Sequence, residues 1–127
     1  TREAFALIQA TARRIFLPDI VADYIARIVD ATHPGQSHAS LGVRFGASPR
    51  AALSLAAASK ARALMHGRPN ASFEDVQALA LPVLNHRVLL DYTARMDGKT
   101  SAGVVRAILA EVPVQNLATP RTLKEAA

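Results

Sequence analysis

Arg50 is the residue best placed to do chemistry. It follows Gly46-Ala47-Ser48-Pro49, in which Ser48 reads as an N-cap and Pro49 as the first residue of a helix. An arginine in a first turn adds positive charge where the helix dipole is already positive, which is locally unfavourable. An anion relieves that cost, and a phosphate matches the planar guanidinium fork. The alternative is a carboxylate of the chain itself, such as Asp23, Asp30 or Asp91. Residue types alone do not decide between the two.

The other constellations carry less. Asp97-Gly98-Lys99-Thr100 ends like a phosphate-binding loop. Such a loop needs a glycine where this chain has Thr93, so that its backbone amides can wrap the phosphates. The competing reading is a turn at Asp97-Gly98 and an N-cap at Thr100 or Ser101. His33, His38, His66 and His86 show no helical i, i+4 pair and no adjoining carboxylate cluster, so no metal site is expected. Nothing matches Gly-x-Ser-x-Gly, the strand-to-helix turn that presents a nucleophilic serine.

Composition bounds the rest. The chain has 127 residues, 15 Lys+Arg against 10 Asp+Glu, and a formal charge of +5. Half of it is apolar, which excludes disorder by low hydrophobicity, and the length suits one domain. The absence of cysteine excludes a disulfide framework, a thiolate metal site and a cysteine nucleophile. No apolar run reaches the roughly 18 residues of a spanning helix, so no membrane insertion is expected. There is no signal-peptide pattern at the N-terminus, and the expected location is cytoplasmic. The basic residues are scattered rather than clustered and lack interleaved aromatics, which argues against nucleic-acid binding.

Periodicity predicts a mainly α fold, a small helical bundle with two or three short extended segments. A first helix covers Arg2 to about Arg13, with Phe5, Ile8 and Ala12 in register. Arg14 to Leu17 reads as extended and stops at Pro18. Asp19–Ala31 is the clearest helix, with Ile20, Val21, Tyr24, Ile25, Ile28 and Val29 on one face. Thr32 to Ala47 is a long loop in which Leu41–Phe45 could form a strand. The helix from Pro49 to about His66 is expected to bury Leu53, Ala57, Ala61, Leu64 and Met65, and Gly67 ends it. Ser72-Phe73-Glu74-Asp75 opens another helix, with Pro82 expected to kink or restart it. Arg87–Tyr92 reads as a strand and Ser101 to Val112 as the last helix. The residues from 117 to 127 show little periodicity and are expected to form a loose tail.

Gly46-Ala47-Ser48-Pro49-Arg50-Ala51 resembles the sensor-2 motif of the MoxR family of AAA+ ATPases. Asp23–Thr32 resembles the helix that precedes it in the family. Gly67-Arg68, Ser72–Val76 and Val83-Leu84-Asn85-His86-Arg87 resemble the segments that follow. The likeness runs in order over about residues 14–113. It implies an AAA+ lid domain over 14–116, with 1–13 a helix or linker leaving the ATPase core. The chain opens inside an expected helix without an initiator methionine, which fits a part of a longer polypeptide. In that family setting Arg50 is the catalytic arginine, and Gly46, Ser48 and Pro49 shape the segment that brings it to ATP. ATP and Mg would be held mainly by the core, because this chain has no Walker A, no Walker B acid and no arginine finger. The resemblance further implies a chaperone-like homo-hexameric ring and von Willebrand factor A partners. The alternative is a free-standing basic helical module that binds nucleic acid or a protein.

Overall fold

Each helix starts where local chemistry allows it. Thr1 accepts the Ala4 N–H on its hydroxyl at 3.1 Å and opens α1 (Arg2–Arg14). Pro18 precedes α2 (Asp19–Ala31), and Pro49 is the first residue of α3 (Pro49–Met65). The Ser72 N–H donates to the Asp75 carboxylate at 2.8 Å at the start of α4 (Phe73–Leu84), the reciprocal half of a capping box. Asp91 caps α5 (Tyr92–Met96) and Thr100 caps α6 (Ser101–Glu111). Two very short strands, β1 (Val43–Phe45) and β2 (Leu89–Leu90), pair antiparallel, Val43 opposite Leu90 and Phe45 opposite Leu89. The computed structural model describes residues 1–114; the tail expected over 117–127 lies outside them.

The architecture is the expected helical bundle. Among the described residues its extended pieces are β1, β2 and a parallel bridge between Phe16 and Asn70. The core gathers Tyr24 and Ile28 from α2, Leu55 from α3, Val76 and Leu84 from α4, and Val105 and Ile108 from α6. Tyr24 meets Phe73 edge-on, ring centroids 5.5 Å apart. α3 and α4 pack against each other most extensively, and α2 lies against both.

Three expectations need correction. The buried face of α3 is Ala51, Leu55, Ser59 and Ala63, not the one centred on Leu53 and Ala57. Leu53 is 72% exposed and Met65 83% exposed; Ala57 is exposed, and Ala61 and Leu64 are half-buried. Alanine occurs on every side of this helix, so periodicity says little about its rotation. In α2, Ile20 points outward while the rest of its expected face is buried. Arg87–Tyr92 is mostly not strand: a 3-10 turn over Asn85–Arg87 precedes β2, and Tyr92 starts α5. Pro82 lies inside α4, which continues to Leu84 before tightening into that turn.

α1 stands apart from the core. It packs on α3 yet buries none of its residues, and Phe5, Leu7 and Ile8 are all more than half exposed.

Candidate functional site

Arg50 lies in the first turn of α3, exposed. Among the described residues it takes part in no ion pair. Asp23 pairs with Arg27 at 2.8 Å, and Asp91 Oδ1 accepts the Ala94 N–H at 2.7 Å. The described ion pairs are Arg27–Asp23, Arg62–Asp75 and Arg68–Asp75, so Asp23, Asp30 and Asp91 all leave it unneutralised. Ser48 occupies the N-cap position, but its hydroxyl makes no capping hydrogen bond. The first turn of α3 thus presents a cation and a helix N-terminus without a side-chain cap, both favourable to an anion.

The segment leading to Arg50 is held firmly. Thr32, the buried C-cap of α2, donates its hydroxyl to the Val29 carbonyl at 2.6 Å and accepts the Ala47 N–H at 2.9 Å. His33 Nε2 lies 2.7 Å from the Ala47 carbonyl oxygen. A carbonyl only accepts, so Nε2 carries the proton. Gly46 packs so closely on this pair that a Cβ there would lie 2.3 Å from the His33 ring and 2.8 Å from the Thr32 carbonyl carbon. Gly46 is therefore required for a close approach, not for an unusual φ.

The 32–47 loop consequently closes on itself, its ends tied by Thr32 and His33, in the manner of a compact Ω-loop. Its middle is pinned from α6. The Glu111 carboxylate accepts the backbone N–H groups of His38 and Ala39, each at 2.9 Å. Those two donors hold the Glu111 carboxyl below the usual carboxylate range. Ser37 donates to the Ala31 carbonyl at 2.8 Å. Neither Thr32 nor Glu111 stood out from sequence as part of the site, and His33 was weighed there only as a metal ligand and set aside. Their contacts cross the whole loop, and no local spacing signals them.

The Gly-Lys-Thr segment follows its simpler reading. Thr100 accepts the Gly103 N–H at 3.0 Å as a helix cap, and Lys99 Nζ donates to the Leu41 carbonyl at 3.3 Å. No group of three or more metal-ligating side chains occurs among the described residues. The residues present fit one edge of a nucleotide, the Arg50 fork toward a phosphate. No phosphate-wrapping loop appears among them.

At its other end α3 is tied to α4 by a buried carboxylate. Asp75 is fully buried and accepts Arg62 Nη1 at 2.7 Å and Arg68 Nη1 at 2.8 Å. Burial alone would raise its pKa. The hydrogen bonds from Arg68, Arg62 and Ser72 outweigh that and hold the carboxyl far below the ordinary range. The same partnership raises the Arg68 pKa.

Among the described residues, no helix is long and apolar enough to cross a membrane. The AAA lid domain family model matches residues 35–108. Chaperone MoxR1 of Mycobacterium tuberculosis is 33% identical over 94% of this chain and 35% of its own length. The uncharacterized protein YeaC of Bacillus subtilis is 34% identical over 92% of the chain and 36% of its own. The crystal structure of a candidate ATPase from Cytophaga hutchinsonii superposes with a TM-score of 0.77 at 28% identity. That match covers 84% of this chain and 34% of that one. The chain spans about a third of the length of the curated relatives it matches. With a mainly helical fold, the Gly46–Ala51 segment at the head of α3 and these matches together, the chain belongs to the AAA lid domain family, as a lid of the MoxR type.

Proposed function

We propose that this chain is the nucleotide-sensing lid of an ATPase, with Arg50 as its sensor-2 residue. The reading rests on one observation. Arg50 is an exposed cation with no ion-pair partner among the described residues, carried on a segment that is otherwise tied down at Ala47. A solvent-exposed surface arginine needs no such support, whereas a group that must meet transferring charge does.

ATP and Mg are supplied by the core of the intact protein, and phosphoryl transfer there builds charge on the γ-phosphoryl oxygens. Arg50 reaches those oxygens from the lid and offers them two parallel N–H donors. Gly46, Ser48 and Pro49 set where it stands. Contact made with a triphosphate and lost with a diphosphate gives the lid two orientations of different stability. The open apolar side of α1, with Phe5, Leu7 and Ile8, supports a lid that docks against the rest of its ATPase. A homo-hexameric, chaperone-like ring, von Willebrand factor A partners and a cytoplasmic location follow from the family resemblance alone.

The test is Arg50→Ala in the intact protein, with ATP turnover and thermal unfolding measured on the same preparations. Turnover is expected to fall by about 10³-fold, as for other arginines that stabilise transferring phosphoryl charge, with the melting temperature unchanged. A lowered melting temperature with full turnover per folded molecule would show a structural arginine instead.

A further inference from the structure

The ties at Ala47 do more than close a loop. Between Ala47 and Arg50 lie only Ser48 and Pro49, and the proline ring fixes one of the few backbone torsions in that interval. The Ala51 N–H also bonds the Ser48 carbonyl at 2.9 Å. Arg50 is thereby referred to Thr32 and His33 with little slack. Thr32 caps α2, whose Val21, Tyr24, Ile25, Ile28 and Val29 lie in the core. Force applied at the Arg50 guanidinium therefore passes to the body of the domain instead of being absorbed by a pliant loop.

We infer that Thr32 and His33 form a positioning clamp that fixes Arg50 relative to α2 and so links phosphate contact to movement of the whole lid. The inference rests on the sensor reading of Arg50. His33 touches no phosphate; it acts through the Ala47 carbonyl, as Thr32 acts through the Ala47 N–H. Gly46 completes the clamp by leaving room for the His33 ring, since any Cβ there would collide with it. Loss of the His33 donor frees the carbonyl side of Ala47. Displacing a catalytic group by about 1 Å can cost about 10²-fold, and Thr32 still holds the other side, so about a tenfold loss is expected.

The experiment uses the intact ATPase with His33→Ala, Arg50→Ala, the double variant and His33→Gln. The readout is the ratio of affinities for a non-hydrolysable ATP analogue and ADP, alongside turnover. A general loss of folding does not discriminate the two nucleotides, but a misplaced γ-phosphate ligand does. Arg50→Ala should abolish the preference for the analogue, and His33→Ala should reduce it about tenfold. The double variant should match Arg50→Ala, because a residue acting through Arg50 has nothing left to position. Glutamine at 33 should recover most of the preference, since its amide can donate to the same carbonyl. If His33→Ala does not fold, Thr32→Val removes the clamp's other contact and carries the same expectation. An unchanged preference in the clamp variant, or an equal loss with and without Arg50, overturns the clamp. A preference retained by Arg50→Ala overturns the sensor reading itself, which the single variant shows independently.

Discussion

The two ends of α3 carry the same kind of residue in opposite surroundings. At its C-terminal end Arg62, with Arg68 just beyond, converges on the buried Asp75. At its N-terminal end Arg50 meets no carboxylate among the described residues. What the fold holds there is the backbone at Ala47, three residues earlier, and not the Arg50 side chain. The paired arginines are satisfied within the fold, whereas the sensor role proposed for Arg50 requires a cation that is positioned and left open. The contrast depends on placement alone, since the chemistry of the guanidinium is common to both.

The largest effects should separate the two ends. Arg50→Ala should cost about 10³-fold in turnover and leave the unfolding free energy within about 0.5 kcal/mol of the parent. Arg50→Lys should restore part of the rate, because it keeps the charge but loses the bidentate fork. Asp75→Ala should show the reverse. Removing the buried partner of two arginines should destabilise the domain by about 3 kcal/mol, read from urea unfolding, with turnover per folded molecule retained. If Asp75→Ala spared stability while abolishing turnover, the division between the two ends would collapse.

A smaller effect concerns acid. Both Asp75 and Glu111 have pKa values lowered in the folded state, from ordinary values of 3.8 and 4.5. A depressed folded pKa means the unfolded chain binds protons first as the pH falls. The stabilisation is therefore fully present above the ordinary values and is lost as the pH falls through the folded ones. Urea midpoints should be flat near neutrality and decline below about pH 5. Asp75→Asn should remove most of that decline and Glu111→Gln a lesser part, because Asp75 is buried and Glu111 is exposed. A decline of equal size in the Asp75→Asn variant would place the acid-sensitive contact elsewhere.

What sequence disclosed depended on how local the controlling interaction is. α2 was legible because Val21, Tyr24, Ile25, Ile28 and Val29 recur at helical spacing and are the residues it buries. The start of α3 was legible from the capping preferences of Ser48 and Pro49, and Arg50 stood out by opposing the dipole. α5 was not, since five residues are too few to display a period. The Thr32–His33 clamp was also hidden. Its hydrogen bonds join residues 14 and 15 positions apart, and only the folded loop brings them together.

The smallest expected effect tests the rotation of α3 between its two ends. Residues Ala51, Leu55, Ser59 and Ala63 recur every fourth position and are all buried, so the core-facing side is a stripe inclined to the helix axis. Ala57 lies off that stripe, exposed beside Gln9, Ala12 and Leu53 along the shallow groove between α1 and α3. A leucine there meets open groove, not packed core. Ala57→Leu should therefore change the unfolding free energy by no more than about 0.5 kcal/mol. The sign depends on a balance between the apolar surface a leucine covers in the groove and the rotamer freedom it loses. A destabilisation of about 1–3 kcal/mol would mean overpacking and would place Ala57 inside. The whole helix would then be turned, and the separation of an open Arg50 from the Arg62–Asp75 pair along it would have to be redrawn.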